Sequence, residues 1–274
     1  MTPLELVILD FDGTFTRVDE EAAPFLEAYR EGLAALLGGP IDDAWERAKK
    51  IIEADPDRFG WEYEGRIVAP SHADPYILAT SIAQLLLREH GVTSADTEPL
   101  FREAYASAGT VFRDDAAAVV EAVLARAVHV VVVTNSHTKD VRAKIEKLGA
   151  RGAGTLPIRG DAQKWRLVDP EPADPRFDAL PRELRVDGLA RSIFVRRGRY
   201  FDALRAIWDE TDTTPAGTLV CGDIFELDLA LPSQLGARIH MVGREATPAY
   251  ERAAVRAAGG TFSTELGGLL ARLE

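Results

Sequence analysis

The chain has a single cysteine, Cys221, among 274 residues. One thiol closes no intrachain disulfide, and a thiolate metal centre needs several. Beside Gly222, Cys221 is expected to be a small buried hydrophobe. Basic residues are in deficit: 32 Lys and Arg stand against 44 Asp and Glu, a formal net charge of −12. General nucleic-acid binding needs a basic footprint, so nucleic acid is not an expected partner. An anionic substrate remains open, because a bound cation can invert the local field. No apolar stretch approaches the roughly 20 residues of a membrane span. The N-terminus shows no basic leader followed by an apolar core, so the expected compartment is the cytoplasm. No segment repeats, and none is low in complexity. The length suits one large domain or two modest ones. The oligomeric state is not readable from it.

What is present is organised around Leu4–Thr16, LELVILDFDGTFT. An apolar run ends abruptly at Asp10, a second acid follows at Asp12, and Gly13-Thr14 turn the chain. Such a run reads as a strand buried on both faces of a parallel sheet. Ligands of open α/β sheets lie at the carboxyl ends of their strands, so both acids sit at the expected edge.

The pattern then becomes helical. Helices are expected over 20–37, 41–53 (with Asp42 or Asp43 as cap), 75–90 and 98–107, and a loop or short irregular strands over 55–73. That last segment holds Phe59, Trp61, Tyr63 and His72. From Asp114, helices alternate with apolar runs. Helices are expected over 114–126, 139–148, 200–210, 230–235, 248–258 and 266–273. Strands are expected over 128–133, 155–158, 218–221 and 237–242. Alternation of this kind predicts βαβ units and an α/β fold, a Rossmann-like doubly wound parallel sheet. Residues 15–113 are too many for one crossover and read as an inserted α-helical domain, leaving 1–14 and 114–274 as the core. Residues 161–193, rich in Pro, Asp and Arg, read as an irregular excursion with room for one hairpin.

Three apolar strands end in polar residues: Asp10 and Asp12, then Thr134 and Asn135, then Asp223 with Asp228 following. Side by side and parallel, these ends would converge, and the four acids would crowd. At an effective dielectric of about 20, two carboxylates about 4 Å apart repel by roughly 4 kcal/mol. Protonation or a cation must relieve this. The natural cation is Mg²⁺, a hard ion with oxygen ligands.

DFDGT at 10–14, VVVTNS at 131–136 and GDIFELD at 222–228 resemble motifs one, two and four of the haloacid dehalogenase-like (HAD) hydrolase superfamily. The inserted helical segment sits where that superfamily carries its cap, which closes over the site. The resemblance implies that Asp10 is a nucleophile forming an aspartyl-phosphate, and that Asp12 is the general acid and base. It implies Mg²⁺ held by Asp10, Asp12 (through its backbone carbonyl) and Asp223, with Asp228 orienting bound water or a basic side chain. Thr134 and Asn135 would hold phosphate oxygens near a helix start. The superfamily also uses a Lys or Arg before motif four. The familiar Lys-Pro pair is absent here. Arg196 and Arg197, after the strand-like SIFV, are placed for that role, with Lys164 in GDAQKW further back.

The expected function is therefore a Mg²⁺-dependent phosphatase acting on a small phosphorylated metabolite. Superfamily dehalogenases lack an acid two residues after the first, since halide leaves without a proton. Asp12 thus favours phosphoryl chemistry. A phosphomutase on a sugar phosphate and a non-catalytic binding protein on the same core are the alternatives. His129 reads as a core or edge histidine, His137 as an exposed residue at a helix start, and Glu226 as a supporting group. Phe59, Trp61 and Tyr63, with His72, read as packing residues of the inserted domain, with the lining of a substrate pocket as the alternative. Substrate selectivity is expected from 55–74 and from the 161–193 excursion.

Overall fold

Leu6, Val7, Ile8 and Leu9 are all buried, so the strand they form has no face left for water. The computed structural model describes residues 2–71, 73–92 and 97–273. His72 lies outside them. In chain order they form β1 (Leu6–Leu9), α1 (Val18–Leu37), α2 (Asp42–Ala54), β2 (Gly60–Tyr63), β3 (Arg66–Pro70), α3 (Pro75–His90) and α4 (Thr97–Tyr105). There follow α5 (Ala116–Leu124), β4 (His129–Val133), α6 (Thr138–Leu148), β5 (Ile158–Arg159), α7 (Pro175–Asp178), β6 (Glu183–Leu184) and β7 (Ile193–Phe194). The chain closes with α8 (Gly198–Thr211), β8 (Thr218–Gly222), α9 (Ala230–Gln234), β9 (Arg238–Val242), α10 (Ala249–Ala257) and β10 (Thr261–Ser263).

Six strands make one parallel sheet in the order β10-β9-β8-β1-β4-β5. Alternate residues of a strand face opposite sides. Leu6 and Ile8 accordingly join a cluster with Val131, Val220, Phe201 and Trp208. Val7 and Leu9 join a second cluster with Val132, Cys221, Val120 and Ile145. Both faces are covered, as a parallel sheet requires. Cys221 is fully buried in the second layer.

The chain divides into two units, Met1–Thr16 with Phe112–Glu274, and Arg17–Val111. The second unit has its own core, in which Phe25, Tyr29, Leu33, Trp45, Ile52, Ile82 and Leu86 pack together. In α3 the Asp74 carboxylate caps the helix by accepting from the Tyr76 N–H at 2.6 Å. In α2 no side chain caps the N-terminus, and Ile41 takes the cap position. Asp42 and Asp43 fall instead in the first turn, where the helix dipole favours acids. Residues 60–70 are an antiparallel hairpin, and Phe59 packs against the helical core.

Three differences from the sequence pattern have local causes. Leu266–Arg272 is a 3₁₀ rather than an α-helix, since Gly267-Gly268 weakens α propensity. β10 is an additional strand, short and half-buried, and carries little pattern. Among the described residues the buried histidine is His240, not His129, which lies exposed at the start of β4. The 161–193 excursion contains the β6–β7 hairpin and sends Phe177, Leu180, Leu189 and Ile193 into the core. Phe177 is fully buried against Phe201, with ring centroids 5.2 Å apart. Phe177→Ala should therefore cost about 3–5 kcal/mol of unfolding free energy. Urea denaturation measures this, and a loss under about 1 kcal/mol would mean the excursion is not part of the core.

Candidate active site

Because β1 lies between β8 and β4, the carboxyl ends of these three strands lie together on one sheet edge. Asp10 leaves β1 with its N–H still donating to the Cys221 carbonyl at 2.8 Å. Thr134 leaves β4 with its N–H donating to the Arg159 carbonyl at 3.0 Å. Gly13 turns the chain with φ +78, and a Cβ there would meet Asp223 Oδ2 at 2.0 Å. Glycine at this point is what allows the first and third strand ends to approach.

The cation at the centre is Lys164. Its ammonium is 2.6 Å from Asp10 Oδ1 and 2.8 Å from Asp228 Oδ1, and it lies 5.4 Å from the centroid of the Tyr200 ring. Lys164 is 1 % exposed. Burial alone would lower its pKa, but the two carboxylates outweigh that and hold it charged, with a pKa above the ordinary lysine value. Burial pushes Asp10 up to about 7 against the pull of Lys164, with Asp228 adding to the rise. The loop that delivers Lys164 is strained, with Asp161 at φ 54 and Gln163 at φ 46. It is tied down where Lys164 N–H donates to Asn135 Oδ1 at 2.8 Å.

Arg196 and Arg197 do not meet the acids in this way. Arg196 Nε and Nη2 donate to the Leu180 carbonyl at 2.9 and 2.7 Å, and Nη2 also reaches the Asp178 carbonyl at 2.6 Å. Arg197 is fully buried and donates to the Phe194 carbonyl at 3.0 Å and to the Lys164 carbonyl at 2.9 Å. The expectation that this pair faces phosphate is corrected. The strand before it, β7, pairs with β6 outside the six-stranded sheet, so its end does not open on the shared edge. Arg197 instead secures the backbone of the lysine that lies at Asp10.

Asp10, Asp223 and Asp228 present carboxylate oxygens within 4.8 Å of one another. Ligands on one magnesium lie up to about 4.2 Å apart, so small rotations would seat an ion. The donor set is all oxygen and suits a hard cation. The Asp12 carboxylate is not in this cluster, so three of the four acids crowd rather than all four, and a metal role for Asp12 rests on its backbone carbonyl alone. It turns to the end of β4, where Oδ2 is 2.6 Å from Ser136 Oγ and 3.3 Å from Thr134 Oγ1, and Oδ1 is 3.1 Å from Lys144 Nζ. Asp228 is fixed in turn by the Ile224 N–H, which donates to its Oδ2 at 3.0 Å, within one turn of π-helix at Phe225–Leu229.

Thr14, Ser136 and Lys144 are site residues that the sequence pattern did not single out. Thr14 Oγ1 is 3.3 Å from Asp10 Oδ2. Ser136 lies in the same turn as Thr134, which is a usable signal. Lys144 carries none, since it reaches the site only because helical side chains lean toward the N-terminus. Glu226 is fully buried, held by Arg191 at 2.6 and 2.9 Å and by the Tyr250 hydroxyl at 3.1 Å. Arg191 thus ties the excursion to the turn carrying Asp228. His137 is exposed, with Nδ1 2.5 Å from the Asp161 carboxylate.

No family model and no curated protein sequence matches the chain. Solved structures do match. A HAD family hydrolase from Deinococcus radiodurans, crystallised with phosphate and sodium, is 15% identical with a TM-score of 0.58, over 100% of this chain and 96% of that one. A HAD-hydrolase from Bacillus subtilis bound to magnesium is 13% identical with a TM-score of 0.53, over 99% of each chain. A HAD phosphatase from Thermococcus onnurineus is 16% identical with a TM-score of 0.50, over 98% of each chain. The chain has the fold of the haloacid dehalogenase-like hydrolases.

The raised pKa of Asp10 has a consequence for metal binding. Without a cation, Asp10 takes up a proton as the pH falls through about 7, and a divalent cation must displace it. Affinity for a divalent cation should therefore decline as the pH falls through that value, with protons released on binding. Calorimetry in two buffers of different ionisation enthalpy measures this. No proton release near neutral pH would mean that Asp10 is already ionised.

Proposed function

We propose that this chain is a magnesium-dependent phosphatase of the HAD superfamily, hydrolysing a small phosphate monoester through an aspartyl-phosphate on Asp10. The helical unit, residues 17–111, is proposed as its cap, and the cytoplasm as its compartment. The observation that carries the reading is the pairing of Asp10 with Lys164 at 2.6 Å while a second acid, Asp12, faces Thr134 and Ser136. A binding protein needs the first arrangement at most. The second acid has a use only where a proton must move.

Asp10, Asp223 and the backbone carbonyl of Asp12 would hold magnesium, which when bound would offset the charge of the phosphate and of the attacking carboxylate. Asp10 attacks phosphorus, and the bond from phosphorus to the ester oxygen breaks. Asp12 gives its proton to the departing alkoxide, so the alcohol leaves neutral. Asp12, now a carboxylate, takes a proton from the water that attacks the aspartyl-phosphate. Phosphate is released and Asp10 is restored. Lys164 holds Asp10 in place throughout and supplies positive charge beside the phosphate oxygens. Asp228 keeps Lys164 there. Thr134 and the turn that follows it support the phosphate.

A panel of phosphate esters should show phosphate release that needs magnesium and is lost on chelation. Asp10→Asn should lower kcat at least about 10³-fold, and Lys164→Met about 10²-fold or more. Asp12→Asn should slow both steps, and full retention of rate would sink the acid and base assignment. Failure on every ester by a protein that binds magnesium would favour a binding role.

A further inference from the structure

Lys144 touches the proposed general acid but has no part in the proposed reaction. It lies in α6, and its ammonium is 3.1 Å from Asp12 Oδ1 and 5.5 Å from the centroid of the Phe11 ring. Its side chain is 22% exposed and that of Asp12 33%, so the pair is partly withdrawn from water. The other Asp12 oxygen, Oδ2, faces two hydroxyls, Ser136 Oγ at 2.6 Å and Thr134 Oγ1 at 3.3 Å.

These neighbours differ in kind. An ammonium has three donors and no acceptor, whereas a hydroxyl can donate or accept. A proton on Oδ1 would point at the ammonium and find nothing to accept it. A proton on Oδ2 faces hydroxyls that can turn to receive it. Thr134 is also the residue placed to touch phosphate, so Oδ2 is the oxygen on the side of the ester.

We propose that Lys144 is a positioning residue that holds Oδ1 of Asp12 and thereby assigns Oδ2 as the oxygen that carries and delivers the proton to the leaving group. Ser136 completes the arrangement by fixing Oδ2 in rotation. The inference rests on the reading of Asp12 as general acid. Without Lys144, Oδ1 loses its fixed partner, the two hydroxyls can hold either oxygen, and the proton is directed at the ester oxygen for only part of the time.

The dependence on leaving group tests this. Nitrophenolate departs without a proton, while an alkoxide needs one. The measured quantity is kcat/KM, which covers the steps up to alcohol release and excludes hydrolysis of the phosphoenzyme. Lys144→Met should lower kcat/KM about 10–100-fold on an alkyl phosphate that the protein hydrolyses, and less than about 3-fold on para-nitrophenyl phosphate. Lys144→Arg should recover most of the loss. Lys144→Gln replaces the Met variant if that one does not fold. An equal loss on both esters, or none on either, overturns the proposal. Asp12→Asn is the control that separates the two claims. If Asp12→Asn shows the selective loss and Lys144→Met does not, the proposal about Lys144 fails alone. If Asp12→Asn shows no selectivity, the reading of Asp12 fails and the proposal with it.

Discussion

A lysine ammonium buried between two carboxylates is the constraint on which the rest of the core site depends. Lys164 could not remain charged at this depth without Asp10 and Asp228. Neither could the two acids tolerate each other without it. Removing one partner of such a group leaves an uncompensated buried charge, at about 3–5 kcal/mol. The surrounding contacts are what keep the three in register. Asn135 and Arg197 hold the Lys164 backbone at its N–H and its carbonyl. The Ile224 N–H and the turn around it hold Asp228. Several residues that look catalytic by type are therefore occupied in holding others.

The parallel sheet supplies the other half of the arrangement. Register pairs Leu9 with Val132 on one side and Cys221 on the other, so three strands end at one level. Asp10, Thr134 and Asp223 follow directly from those ends, so the register of the sheet brings them to one edge. Gly13 and Gly222 permit the approach. A Cβ on Gly222 would meet the Asp228 Cβ at 2.4 Å, much as one on Gly13 would meet Asp223. The excursion of residues 161–193 then contributes the cation. Its apolar residues enter the core, which gives an otherwise irregular segment a fixed path.

The two units differ in how they are stabilised. In the core unit a β-branched sheet is covered on both faces. The helical unit stands on an aromatic cluster in which Phe25, Tyr29, Tyr76 and Phe101 pack with ring centroids 4.7 to 5.9 Å apart.

Local pattern determined much of this protein. The apolar runs of β1, β4, β8 and β9, and the helices α1, α3, α6 and α8, are legible because period and end signals are local properties. The positions of Asp10, Thr134 and Asp223 are legible because each follows a strand end directly, and Asp12 and Asp228 stand in the turns that come next. The identity of the basic partner was not. Arg196 and Arg197 have the better local setting, yet Lys164 meets Asp10, because its loop bends through two positive-φ residues that no propensity announces. The orientation of Asp12 was not legible either. Its contacts with Ser136 and Lys144 span 124 and 132 residues, and only the folded sheet and helix bring them together. Sequence decides where the acids stand along the chain; tertiary structure decides which cation each one faces, since charge pairing depends on distance in space.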